Sequence, residues 1–364
     1  MKRVLSLALA LALCLTLFGC SGQTGSSSSD TASESSVSSQ TEGAASGTES
    51  TSSQEDSSAS SAVSETSEVD AADLGTATVA ALKGPTAMGM VKMMSDDAAK
   101  EEPTFNFNIY ASADEITPKL VQGELDIAAV PANLASVLYN NTEGQVQVLA
   151  INTLGVLYIV EAGDTVHSVA DLKGKTIYAS GKGSTPEYAL NYMLSENGID
   201  PSTDVTIEWK SEHSECVAAL AADATGIAML PQPFVTTAQT QNENLRVALD
   251  MTEEWESLAQ ANGSDVTLIT GVVVARKEFV EQNPGLVNAF LSDYEQSVAY
   301  TEEDVAGAAA LIGQYDIVPE AVAQKALPEC NITFIAGDEM QGKLSAYLQT
   351  LFDQNPKSIG GELP

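Results

Sequence analysis

The chain has 364 residues, with 16 Lys and Arg against 50 Asp and Glu, a formal net charge of −34. That balance is a poor surface for nucleic acid or anionic lipid, both of which need clustered Lys and Arg. It suits a secreted, self-repelling soluble domain, and it leaves room for a small anionic ligand held by helix N-termini and one local base.

Residues 1–20 carry Lys2 and Arg3, then an apolar core over 4–18, then Gly19-Cys20. This is the layout of a secretory signal peptide, too short for a comfortable membrane span. Leu17-Phe18-Gly19-Cys20 resembles a bacterial lipobox, although Phe18 is bulkier than the small residue usual there. The expectation is an extracytoplasmic protein anchored to the cell membrane through a lipidated, palmitate-bearing Cys20. Residues 21–70 are almost entirely Ser, Thr, Ala, Gly, Gln, Glu and Asp. They cannot bury enough apolar surface to offset their ordering entropy, so a disordered linker is expected. Its r.m.s. reach is roughly 40 Å.

Residues 71–364 are enough for two lobes of ordinary size. Two of the bases lie in the first 20 residues and nine of the acids in 21–70, which leaves 41 acids against 14 bases, about −27. Cys14 and Cys20 lie in the signal; Cys216 and Cys330 leave room for one disulfide, but they fall far apart in the chain, and two free, buried thiols are favoured. The two histidines are His167 and His213. His213 and Cys216 stand three apart on a predicted helix, which without further ligands reads as a surface accident rather than a metal site. No metal, cofactor or catalytic group is expected.

In chain order, residues 79–82 read as a buried strand, broken by Lys83-Gly84-Pro85-Thr86 before an apolar helical pattern through Met88, Val91 and Met94. A strand, a glycine loop and a helix start expose free N–H groups at a positive dipole end. Residues 105–110 alternate like a strand. Ser112 and Glu115 form a capping box for a helix that stops at Gly123. Residues 125–130 are an apolar strand, followed by Pro131, Asn133 and a helix; 146–152 and 154–160 are further strands. Short connections of this βαβ kind imply a mostly parallel sheet.

The pattern then restarts. Residues 169–172 form a short helix, 175–179 a strand, and 180–186 (SGKGSTP) a second glycine loop, with Thr185 as N-cap and Pro186 as first helical residue. Strands at 205–209, 226–230 and 245–250 alternate with helices, and Pro231-Gln232-Pro233 follows the second. Residues 266–275 read as a return strand to the first lobe, and the remainder is helical apart from a short strand near 331–335. The two halves answer each other: 125–133 matches 226–234 and 83–86 matches 181–186, so two lobes present like loops to a shared cleft.

Three stretches carry a resemblance. They are Leu82-Lys83-Gly84-Pro85-Thr86 before the first helix, 123–129 (GELDIAA) before Pro131, and 169–175 (VADLKGK) before the second-lobe strand. With them the chain resembles the substrate-binding proteins of bacterial ABC importers, in the group that binds nitrate, sulfonates, taurine and thiamine-pyrimidine precursors. The resemblance runs over roughly 78–352. It implies an α/β fold of two lobes, periplasmic-binding-protein-like type II, each lobe a mostly parallel sheet flanked by helices, joined by a two-segment hinge. Lobe 1 is expected to comprise 71–160 and 266–364, and lobe 2 161–265. Where relatives often show Glu-Pro after the second-lobe strand, this chain has Gln232-Pro233.

Resemblance and loop chemistry together imply a first-lobe ligand face of Gly84, Thr86, Ser112 and Asn133, and a second-lobe face of Gly183, Ser184, Thr185 and Gln232, with Lys182 as an added charge. These hydroxyls, amides and helix-start N–H groups suit a small polar or anionic ligand, and each also serves as a cap or turn residue. Tyr158 and Tyr188 are candidates to stack on a heteroaromatic ligand, with core packing the alternative; Met88, Met90, Met93 and Met94 are assigned to the core and cleft floor. The implied function is capture of a small polar or heterocyclic ligand (nitrate-, sulfonate- or pyrimidine-like) by a monomer, and its delivery to a permease. The alternatives are an enzyme of the same fold, which needs a base, nucleophile or metal at the cleft, and a ligand-sensing module.

Overall fold

A computed structural model describes residues 75–364; the predicted signal peptide, the linker and the lipid site at Cys20 lie outside the described residues. The chain runs β1 (Ala77–Leu82), α1 (Pro85–Met88), α2 (Val91–Ala98), β2 (Phe105–Tyr110), α3 (Ala113–Gln122), β3 (Ile127–Pro131), α4 (Ala132–Asn141) and β4 (Val146–Leu154). A second set follows: β5 (Leu157–Ala162), β6 (Thr176–Ser180), α5 (Thr185–Glu196), β7 (Thr206–Lys210), α6 (His213–Ala222), β8 (Ile227–Pro231), α7 (Phe234–Gln241), β9 (Leu245–Asp250) and α8 (Met251–Ala261). The last set is β10 (Ile269–Arg276), α9 (Lys277–Gln282), α10 (Pro284–Glu303), α11 (Val305–Gln314), α12 (Glu320–Ala326), β11 (Ile332–Ile335) and α13 (Gly337–Gln354).

Two sheets result. The first has the order β11-β4-β10-β3-β1-β2, the second β7-β6-β8-β5-β9. In the first sheet β1 to β4 share one direction, while β10 and β11 oppose them; in the second only β5 opposes the rest. β3 (IAAVP) and β8 (IAMLP) are buried at every position, as strands covered on both faces must be. Helices flank both sheets, and one buried cluster runs through both lobes, from Ala80 and Ile116 to Ile177, Leu190 and Trp255 and on to Tyr347 and Ile359.

The crossover strands set the hinge. β4 leaves the first sheet at Leu154, and after Gly155 and Val156 the chain enters the second as β5. The lobe boundary drawn at 160 therefore moves back to 155–156, because β5 pairs antiparallel with β8, Leu157 opposite Pro231. Gly155 is a close approach: a Cβ there would collide with the Thr252 side chain. β10 brings the chain back, antiparallel to both β3 and β4. Cys216 and Cys330 are free and buried.

Candidate functional site

Each sheet ends its parallel strands toward the other, and a cleft of about 660 Å³ opens between them. Its walls are built from the carboxyl ends of strands: Lys83 after β1, 111–115 after β2, Pro131 from β3, Thr153 from β4, Ser180 from β6, 209–213 around the end of β7 and Pro231 from β8. This is where open α/β sheets place ligands. Near the hinge the lining is Thr153, Val156, Leu157 and Thr270.

Of the nine residues expected to bind, six line this cleft: Gly84, Thr86, Ser112, Lys182, Gly183 and Ser184. Gly84 sits at φ 144 with its carbonyl starting the first helical turn, a conformation that favours glycine. The Thr86 hydroxyl donates back to the Leu82 carbonyl at 2.9 Å. Ser112 caps α3, and its N–H donates to Glu115 at 3.3 Å, the predicted capping box. In the second lobe Ser184, not Thr185, is the cap of α5.

The other three are turned away. Thr185 and Asn133 are wholly buried, and the Thr185 hydroxyl donates to Asn133 Oδ1 at 3.2 Å. Gln232 is buried, and its Oε1 accepts from the Thr236 N–H at 3.2 Å and hydroxyl at 2.9 Å; it precedes a cis peptide to Pro233. Of the candidate stacking residues, the Tyr158 hydroxyl reaches the Glu329 carbonyl at 3.4 Å, and Tyr188 lines a separate hollow beside Leu351. Met88, Met90, Met93 and Met94 are core.

His213 is the residue that sequence reasoning set aside. It begins α6 and lines the cleft. Its Nδ1 lies 2.6 Å from Ser180 Oγ and its ring 5.0 Å from that of Phe234. Burial lowers its pKa to about 4, even though the residue keeps part of its surface open to the cleft. The imidazole is therefore uncharged at neutral pH. One turn on, burial pushes the Cys216 thiol up to about 11 against the opposing effect of the Ser180 hydroxyl. The signal for His213 was present: it follows β7 as Ser112 follows β2.

Three lysines line the cleft, Lys83, Lys182 and Lys210. Lys83 is 3.9 Å from Asp316, while Lys210 is 3.1 Å from Glu208 and 5.2 Å over the Tyr178 ring. Asp114, Glu115 and Glu212 line it too. Glu115 is engaged by Ser112, and Glu212 accepts from Ser214 at 3.1 Å. The starts of α3, α5 and α6 add positive dipole ends. Among the described residues no group of His, Cys, Asp and Glu is arranged to hold a metal ion.

The fold has solved counterparts. An ABC transporter from Parabacteroides distasonis superposes with a TM-score of 0.65 at 19% identity, covering 79% of this chain and 96% of that one. The alkanesulfonate-binding protein SsuA from Xanthomonas axonopodis pv. citri, bound to MOPS, gives 0.63 at 17%, covering 80% and 94%. The nitrate-binding protein NrtA from Synechocystis PCC 6803 gives 0.54 at 16%, covering 69% of each chain. No curated protein sequence matches. The family model described as ABC transporter, phosphonate, periplasmic substrate-binding protein matches residues 90–314, well over half of the chain, and the chain belongs to that family of ABC transporter substrate-binding proteins.

Proposed function

We propose that the protein captures a small organic oxyanion, a phosphonate or a sulfonate, in the interlobe cleft and hands it to an ABC permease. The support is one juxtaposition: Lys83, Lys182, Lys210, the uncharged His213 and the starts of α3, α5 and α6 all open into a single cleft. Charge-assisted hydrogen bonds to an oxyanion are the strong ones, and helix starts favour them further. In the tautomer in which Ser180 donates to Nδ1, the His213 proton sits on Nε2 and is one more donor toward the cleft. Trp209, Phe234 and Leu134 supply apolar surface for an organic tail. At about 660 Å³ the cleft has the size of an organic-ligand site, and a bare nitrate would leave most of it to water. The match of the family to phosphonate binders and the fold shared with an alkanesulfonate binder agree with this choice. A lipid on Cys20 would keep the monomer near its permease.

The Ser180–His213 pair raises the enzyme alternative, since a serine beside a histidine is the start of a nucleophile–base arrangement. A base is most effective with a pKa near the operating pH, and this imidazole, held near 4, is better suited to donating a hydrogen bond than to taking a proton. A thermal-shift screen of the full chain against methylphosphonate, methanesulfonate, nitrate and uracil tests the choice. A ligand at 100 times its Kd adds about 2.7 kcal/mol, which moves Tm by about 4 °C at this size. Shifts with methylphosphonate or methanesulfonate are expected; a shift with uracil alone would overturn the oxyanion assignment.

A further inference from the structure

Three separate stretches meet behind the second-lobe glycine loop. Asn133 comes from the first turn of α4, Thr185 from the start of α5, and Ser358 from the segment after α13. All three are buried, at 0%, 0% and 1% exposure. The Asn133 amide donates to the Ser358 carbonyl at 2.9 Å and to the Gly183 carbonyl at 3.4 Å, and its Oδ1 accepts from the Thr185 hydroxyl at 3.2 Å. One side chain of the first lobe thereby holds two residues of the second. The C-terminal segment is itself fastened to α4, where Ser136 donates to the Ile359 carbonyl at 2.8 Å and Asn140 donates to those of Ile359 and Glu362 at 2.9 and 2.7 Å. Tyr347 of α13 reinforces the joint. It packs 5.6 Å from Trp255, which packs 4.5 Å from Tyr192 of α5.

These bonds flank Ser184, which lines the cleft. A buried amide with its donors and acceptor all engaged is costly to dislodge. The geometry points to Asn133 as a positioning residue that pins the second-lobe glycine loop to the first lobe and the C-terminal segment. The loop then serves as a preset wall of the cleft. The pin stands on contacts within the fold; its value to binding rests on the oxyanion reading above.

Hydrogen exchange on the full chain without added ligand tests the pin. The Gly183 amide donates to the Glu187 carboxylate at 2.5 Å and the Ser184 amide to the Gly181 carbonyl at 3.1 Å, so both report on the loop. Asn133→Ala and Thr185→Val are expected to speed their exchange tenfold or more while β8 and α10 amides keep their rates. Thr185→Ser, which keeps the hydroxyl, is expected to exchange as the wild type does. Unchanged Gly183 and Ser184 rates in the folded variants would overturn the proposal, and Thr185→Val decides alone should Asn133→Ala not fold. Titration of the same proteins with methylphosphonate is read separately. A wild type that does not bind it counts against the oxyanion reading and leaves the exchange result to judge the pin.

Discussion

His213 combines a place in the cleft lining with a pKa far below that of a free imidazole, as groups at functional sites often do. Replacing it with Leu removes a donor, at a cost of about 1–3 kcal/mol, so methylphosphonate affinity should fall about 10- to 100-fold while His213→Gln retains most of it; calorimetry distinguishes the two. The same residue carries a pH signature. Its folded pKa, about 4, lies below the 6.5 of a free imidazole, so between those values the unfolded chain binds the extra proton. The stabilisation is therefore complete above about pH 6.5 and is lost as pH falls toward 4, by order 2 kcal/mol. Urea unfolding at pH 7 and pH 4.5 should show a larger drop for wild type than for His213→Gln. Sequence caught part of this site and missed part of it for a physical reason. A strand, a glycine and a helix start are local punctuation, so Gly84, Thr86 and Gly183 were legible. The direction of a side chain is tertiary, so the hydroxyl of Thr185 and the amide of Asn133 read the same in the sequence whether they face a ligand or each other, as they do here at 3.2 Å. The place of His213 at the start of a helix says nothing by itself of the cleft that the start of α6 faces.

Two elements carry the mechanics of the fold, the crossover at Gly155 and the C-terminal segment after α13. The missing Cβ of Gly155 leaves room for Thr252, whose hydroxyl is buried and has no partner. Gly155→Ala should destabilise by about 1–3 kcal/mol through overpacking, and adding Thr252→Ala should recover part of it, a coupling that a double-mutant cycle measures. Independent, additive losses would show that the two residues do not press on each other. Residues 356–364 were left without a role by sequence, because they have neither periodicity nor length. In the structure Ile359 is fully buried and three side chains of α4 hold the segment's carbonyls. Deleting 356–364 should cost about 3–5 kcal/mol from the lost burial and hydrogen bonds, read as a Tm lower by about 5–8 °C. The sheet membership of β5 was not legible either. The run 154–160 (LGVLYIV) is apolar throughout and fits either sheet, and only Gly155 marked the break.

The whole molecule sets a contrast between its site and its surroundings. Residues 71–364 hold 41 acids against 14 bases, yet three lysines line the cleft. An anionic ligand approaching from afar meets net repulsion, and the attraction acts only at short range. Salt shortens the Debye length from about 30 Å at 0.01 M to about 8 Å at 0.15 M, which screens the repulsion first. The on-rate for methylphosphonate should therefore rise over that range, as stopped-flow fluorescence of Trp209 and Trp255 would report, and a falling on-rate would mean that the lysines dominate at long range. At this scale the sequence was most informative: two lobes of like design, a mostly parallel sheet in each and paired loops at 83–86 and 181–186 were visible as repeated local patterns. The most direct test of the account is a calorimetric titration of the full chain with methylphosphonate and methanesulfonate at neutral pH, repeated with Lys210→Met and His213→Leu combined. One-to-one binding of at least one of them by the wild type, lost in the double variant and without turnover, is the predicted result; an absence of binding to both, or conversion of either to product, would contradict it.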